Sequence, residues 1–111
     1  MGVPLYQAKA ELFKTLGHPA RIRILELLSQ RDHAVHELLE LISIEPSNLS
    51  QQLAVLRRTS MVVSRRVNGE VVYSVSVPEV RDLLASARVI LSAVIAQHNE
   101  LTDELSSSHP A

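Results

Sequence analysis

A chain of 111 residues has room for one small core, and with 46% hydrophobic but only 3% aromatic residues that core has to be aliphatic, which suits helices better than a β-sandwich. The absence of cysteine excludes disulfides, thiolate metal sites and a cysteine nucleophile. A net charge of −1 excludes a wholly basic nucleic-acid coat but not local asymmetry, and with no basic, apolar leader and no apolar run of about 18 residues the chain is expected to be cytoplasmic and free of the membrane.

In chain order, Leu5, Leu12, Phe13 and Leu16 predict an amphipathic helix from about Pro4 to Leu16, ended by Gly17 at the C′ position. Pro19 suits the first turn of a second helix, whose Ile22, Ile24, Leu25, Leu27 and Leu28 carry it to about Ser29. The stretch SQRDH reads as a polar break, and AVHELLELI as a helix of two turns. In SIEPSNLSQQLAVLRR, Pro46 opens a fourth helix with Glu45 at its N-cap, a poor capping residue whose charge nonetheless suits the helix dipole. From Met61 the period becomes extended. MVVSRRV, Asn68-Gly69 and EVVYSVSV predict two strands joined by a type I′ turn. Pro78 then opens a long helix to about Leu105, with Val80, Leu83, Leu84, Ala87, Ile90, Leu91, Val94, Leu101 and Leu105 on a broad apolar face. The expected order is α-α-α-α-β-β-α, with residues 1–105 as a single domain and 106–111 as a disordered tail.

Two short helices joined by a tight turn and followed by a hairpin describe a winged helix-turn-helix, mainly α with a small β-hairpin. In the fourth helix Leu49, Leu53 and Leu56 form one stripe, and Ser47, Asn48, Ser50, Gln51 and Gln52 are expected opposite them. Small amides and hydroxyls on an outer face are what a recognition helix needs in the major groove, where base edges donate and accept hydrogen bonds. Arg57 and Arg58 at its end, with Arg65 and Arg66 in the first wing strand, supply charge for phosphates. Residues 47–73 hold four arginines against the single acid Glu70, a local charge of +3. Each feature alone reads equally as a solvated face, a hairpin or a surface ion pair. In this order they point to a double-stranded DNA partner.

The blocks FKTLGHPARIRILELL, SNLSQQLAVLRR and VVSRRVNGEVVYSV resemble those of the ArsR/SmtB family of bacterial repressors, over nearly all the chain from about Leu5 to Leu101. The resemblance implies a homodimeric winged helix that binds an inverted repeat in its own promoter region and releases it when an effector, usually a metal ion, binds. By position it makes Ser47, Asn48, Ser50 and Gln51 the base-reading set, with Arg65, Arg66 and Asn68 on the wing. The first block is similar to actinobacterial members of the SrnR type, which are linked to nickel-responsive genes.

The sensor positions depart from that pattern. Where family members carry Cys-x-Cys this chain has Ala34 and His36, and where they carry ligands on the C-terminal helix it has Val77, Glu79, Ile90 and Ala93. Three apolar side chains cannot replace oxygen and nitrogen ligands. Weak nickel or zinc binding is then left to histidines. His33 and His36, beside Asp32, have i, i+3 spacing that suits chelation on a helix, or a capping cluster; His18 suits a cap of the second helix; His98 has Glu100, Asp103 and His109 within reach of the same helix end or a symmetry mate.

The last helix has an apolar face too broad for so small a core to cover, and the first helix has the same problem. Pairing both with a second copy through Leu5, Leu12, Leu83, Ala87, Ile90, Leu91 and Val94 removes that surface from water at about 25 cal/mol per Å². Such a dimer sets two recognition helices about 34 Å apart and predicts a pseudo-palindromic site. Two other classes compete. An enzyme is not expected, because the clustered acids of NELTDEL lie on a solvent face. A winged-helix interaction module, or a DNA-binding subunit whose signal comes from a co-regulator protein, is the alternative.

Overall fold

The computed structural model describes residues 2–108, and side chains through Thr102. Its elements are α1 (Leu5–Leu16), α2 (Pro19–Gln30), β1 (His33–Ala34), α3 (Val35–Leu41), α4 (Pro46–Arg58), β2 (Val62–Val67), β3 (Glu70–Val75) and α5 (Glu79–Ser108). The chain forms two units, one through Arg81 and one from Asp82 onward. In the first, α2 packs against α4 and β3, and the fully buried Ile24, Leu25, Leu38, Leu49, Leu53, Leu56 and Val62 make the aliphatic core that the composition demands. Each large side chain of this kind contributes roughly 1.5–3 kcal/mol by leaving water.

The helix-turn-helix and the wing form where periodicity placed them, and the mainly helical winged-helix fold class stands. Pro19 and Pro46 each occupy the first turn of their helices, where the missing N–H is no loss. Asn68 and Gly69 have φ of 51° and 83°, the paired positive values of a type I′ turn. His18 caps α2 by accepting a hydrogen bond from the Ala20 N–H at Nδ1, 3.2 Å.

Several expectations are corrected. SQRDH is not a plain break: His33–Ala34 is a third strand, antiparallel to β3 in the order β1-β3-β2, with His33 opposite Tyr73 and Ala34 opposite Val72. Gly17 ends α1 with φ −78°, outside the left-handed region. Glycine serves there through close approach instead, since a Cβ would lie 3.2 Å from the Phe13 carbonyl oxygen. Glu45 stands at the N-cap of α4 but its side chain makes no capping bond. Ser106–Ser108, expected in the tail, continue α5, and His109–Ala111 lie outside the described residues.

The end of α4 is built by a residue that carried no signal in the sequence. Ser60 has φ 62°, and around it the Met61 N–H donates to the Leu56 carbonyl at 2.8 Å and the Ser60 N–H to that of Arg57 at 3.0 Å. This pair of hydrogen bonds is a Schellman motif with serine in the left-handed position usually given to glycine. It turns the chain from the recognition helix straight into β2 and buries Met61.

The start of α3 is held by Glu37. Its Oε1 accepts from the Ala34 N–H (2.9 Å) and its Oε2 from Arg31 Nη2 (2.7 Å), half of a capping box because Ala34 has no side-chain acceptor. The Arg31 guanidinium, then the Ala34 N–H, bring its carboxyl down from the ordinary 4.5 to about 2. A depressed folded-state value means that the stabilisation is complete above pH 4.5 and is lost as pH falls through about 2. In urea melts across that window, Glu37→Gln should show a flatter acid loss than the wild type; parallel curves would contradict this cap.

The second unit is the body of α5, part of a helix that runs 30 residues, about 45 Å, to Ser108. Leu83, Ala87, Ile90, Leu91 and Val94 lie on one stripe at i, i+4, i+7, i+8 and i+11; Leu83 is half-buried and the other four are exposed. Leu5 and Leu12 of α1 are exposed as well. Among the described residues no helix is long and apolar enough to cross a membrane.

Candidate nucleic-acid interface

The polar face of α4 is seated by the leucine stripe beneath it. Leu49, Leu53 and Leu56 are buried, so the opposite side of the helix, with Ser47, Asn48, Ser50 and Gln51, faces solvent. Ser47 and Asn48 are the second and third helical residues, the part of a recognition helix that reaches base edges.

Gln52 departs from the expected base-facing set. It is 8% exposed, because a residue three after Leu49 and four before Leu56 lies on the leucine stripe and not opposite it. Its Oε1 accepts from Arg21 Nε of α2 (2.9 Å), and its Nε2 donates to Asn48 Oδ1 (2.9 Å). Arg21 also donates through Nη1 to the Thr15 carbonyl of α1 (2.9 Å). The sequence carries a signal for this network: Arg21 shares the α2 face of Ile24, Leu25 and Leu28, and an arginine on an apolar stripe needs an internal partner.

Period two puts Arg65 and Arg66 on opposite faces of the wing. Arg65 pairs with Asp32 at 2.8 Å and donates to Ser74 Oγ at 2.7 Å, so its charge is partly answered within the chain. The Arg65 guanidinium holds the Asp32 carboxyl below its ordinary value. Among the described residues Arg66 donates to the Gly69 carbonyl alone, at 3.3 Å, beside the exposed Asn68. Arg57 and Arg58 in the last turn of α4, and Arg66, are exposed and make no ion pair among the described residues. Those three arginines leave this surface with positive charge that no described carboxylate answers.

The histidines expected as metal candidates are dispersed. His33 and His36 do not share a helix face: His33 precedes α3 on β1 and is 2% exposed, while His36 is exposed and its Nδ1 lies 3.2 Å from Glu70 Oε1. Among the described residues neither ring nitrogen of His33 has a hydrogen-bond partner, and Glu37 Oε2 is 3.9 Å from its Nδ1. His18 Nδ1 is spent on the α2 cap. His98 is exposed on α5; the side chain of Asp103 and all of His109 lie outside the described residues. Among the described residues no three His, Cys, Asp or Glu side chains gather where they could hold one ion.

Comparison with known proteins identifies the family and the fold. Residues 18–62, from the α2 cap to the first residue of β2, match the model of the bacterial regulatory protein arsR family. The chain is 52% identical to the HTH-type transcriptional regulator Rv0081 of Mycobacterium tuberculosis, over 92% of this chain and 90% of that one. The crystal structure of Rv0081 superposes with a TM-score of 0.79 at 53% identity, covering 87% of this chain and 98% of that chain. A biofilm growth-associated repressor of Agrobacterium fabrum is 36% identical over 76% of this chain and 72% of its own. The homodimeric winged helix-turn-helix DNA-binding domain Mb0332 of Mycobacterium bovis has a TM-score of 0.73 at 26% identity, covering 85% and 87%.

Proposed function

The chain belongs to the arsR family of bacterial regulatory proteins and is a transcriptional regulator, and from that premise we propose that it is a homodimeric repressor binding an inverted-repeat operator in the cytoplasm, with no catalytic role. The observation that carries this reading is the exposed polar edge of α4 beside Arg57, Arg58 and Arg66, none of which has an ion-pair partner among the described residues. Residues 1–105 act in it as one DNA-binding and dimerisation unit. The repressor of Agrobacterium fabrum and the homodimeric domain of Mycobacterium bovis support the direction of regulation and the assembly.

Ser47, Asn48, Ser50 and Gln51 read bases in this arrangement, while Arg57, Arg58, Arg66 and Asn68 face phosphates; Arg65 contributes less, since Asp32 holds it. Fluorescence anisotropy on the DNA upstream of the protein's own gene, against a scrambled duplex at two salt concentrations, tests the whole reading. Equal affinity for both would overturn it. In the same assay Gln51→Ala should lose about 1–3 kcal/mol of discrimination, and Arg66→Ala should weaken binding to all sequences and lower the salt slope by about one. Equal loss on operator and scrambled DNA for Gln51→Ala would remove its base-reading role.

A further inference from the structure

The hydrogen bonds that run from α2 into the recognition helix have a direction, and that direction reaches the DNA-facing surface. A guanidinium has donors only, so Arg21 can meet the Gln52 amide through nothing but Oε1, as it does at 2.9 Å. That leaves Gln52 Nε2 turned the other way, where it donates to Asn48 Oδ1 at 2.9 Å. Asn48 therefore has its carbonyl drawn back toward α2, and its Nδ2 has no partner among the described residues. Gln52 is buried and Arg21 is anchored on the Thr15 carbonyl, so neither amide can turn over without leaving a buried polar group unpaired.

We infer that Arg21 and Gln52 are positioning residues that set the Asn48 amide as a hydrogen-bond donor toward DNA, so that Asn48 selects a base edge that accepts hydrogen bonds, guanine O6 or N7 foremost. This rests on the operator-binding reading above, and it gives specificity to a residue that never leaves the core. Purely structural roles for Arg21 and Gln52 would change stability and overall affinity but not which base is preferred.

The test inverts the chain without emptying it. Gln52→Glu still accepts from Arg21, but its second oxygen cannot donate to Asn48, which has to offer Nδ2 inward and Oδ1 outward. Asn48→Asp makes the same inversion at an exposed position, so it does not depend on the core tolerating a carboxylate. Anisotropy is measured on the protein's own upstream DNA and on its complete set of single-base-pair variants. At one position in each half-site both variants should exchange an accepting base for a donating one, the amino group of cytosine or adenine, with preference changed about tenfold. Asn48→Ala should lose the preference there and gain none. Variants that remain folded yet keep the wild-type base preference would overturn the assignment. A wild-type protein that does not distinguish its upstream DNA from scrambled DNA would instead remove the operator reading beneath it.

Discussion

Leu53→Ala should lower the unfolding free energy by about 2–5 kcal/mol, the range for emptying a well-packed aliphatic site. Leu53 is 2% exposed on the α4 stripe with Leu49 and Leu56, and α4 packs against α2. The total stability of a domain is about 5–15 kcal/mol, so one such cavity removes a large share of it. Urea denaturation followed by circular dichroism should show a lower midpoint with an unchanged slope. Because Leu53 is buried on the side of α4 opposite Ser47, Asn48, Ser50 and Gln51, the folded fraction of the variant should keep any base preference. A loss below about 1 kcal/mol would mean that the leucine stripe is not what seats the recognition helix.

The double substitution Ile90→Glu with Val94→Glu should turn the protein into a monomer and weaken operator binding by about 10²- to 10⁴-fold, the range contributed by linking two binding modules. Ile90 and Val94 are 63% and 54% exposed on successive turns of α5, within the stripe that runs from Leu83. Two carboxylates on that stripe cannot be buried against a second copy without partners. Sedimentation equilibrium reads the assembly, and binding to a single half-site, expected to change little, separates lost pairing from lost folding. A variant that remains dimeric would place the interface elsewhere.

Both experiments bear on features whose sequence pattern was strong. The recognition helix, the hairpin and α5 were legible because each repeats a pattern over enough residues to average out local exceptions: the leucines of α4 at i, i+4 and i+7, the extended runs either side of Asn68-Gly69, and seven apolar positions from Leu83 to Leu101. Proline at the first turn marked α2 and α4 for the same local reason, that the helix start has no use for its missing N–H. β1 was not legible. A two-residue strand has no period, and His33–Ala34 becomes a strand only because β3 offers an edge to pair with. Ser60 was not legible either, since nothing local distinguishes a serine that will take a positive φ.

The same division runs through the site. That Ser47, Asn48, Ser50 and Gln51 lie on an open helix face follows from spacing alone, because 3.6 residues per turn is a property of the backbone. Which polar groups remain free on that face was decided by the fold. The amide of the buried Gln52 is oriented by Arg21, Arg65 is paired by Asp32, and His33 is held on a strand opposite Tyr73, each through a partner 31 to 40 residues away. Local sequence thus determined the helices, the turn and the polar edge of this protein, since those depend on neighbours within a few residues. The direction of its hydrogen bonds and the charges left unpaired were decided only by tertiary structure, because a buried donor or charge takes whatever partner the packing of distant segments brings to it.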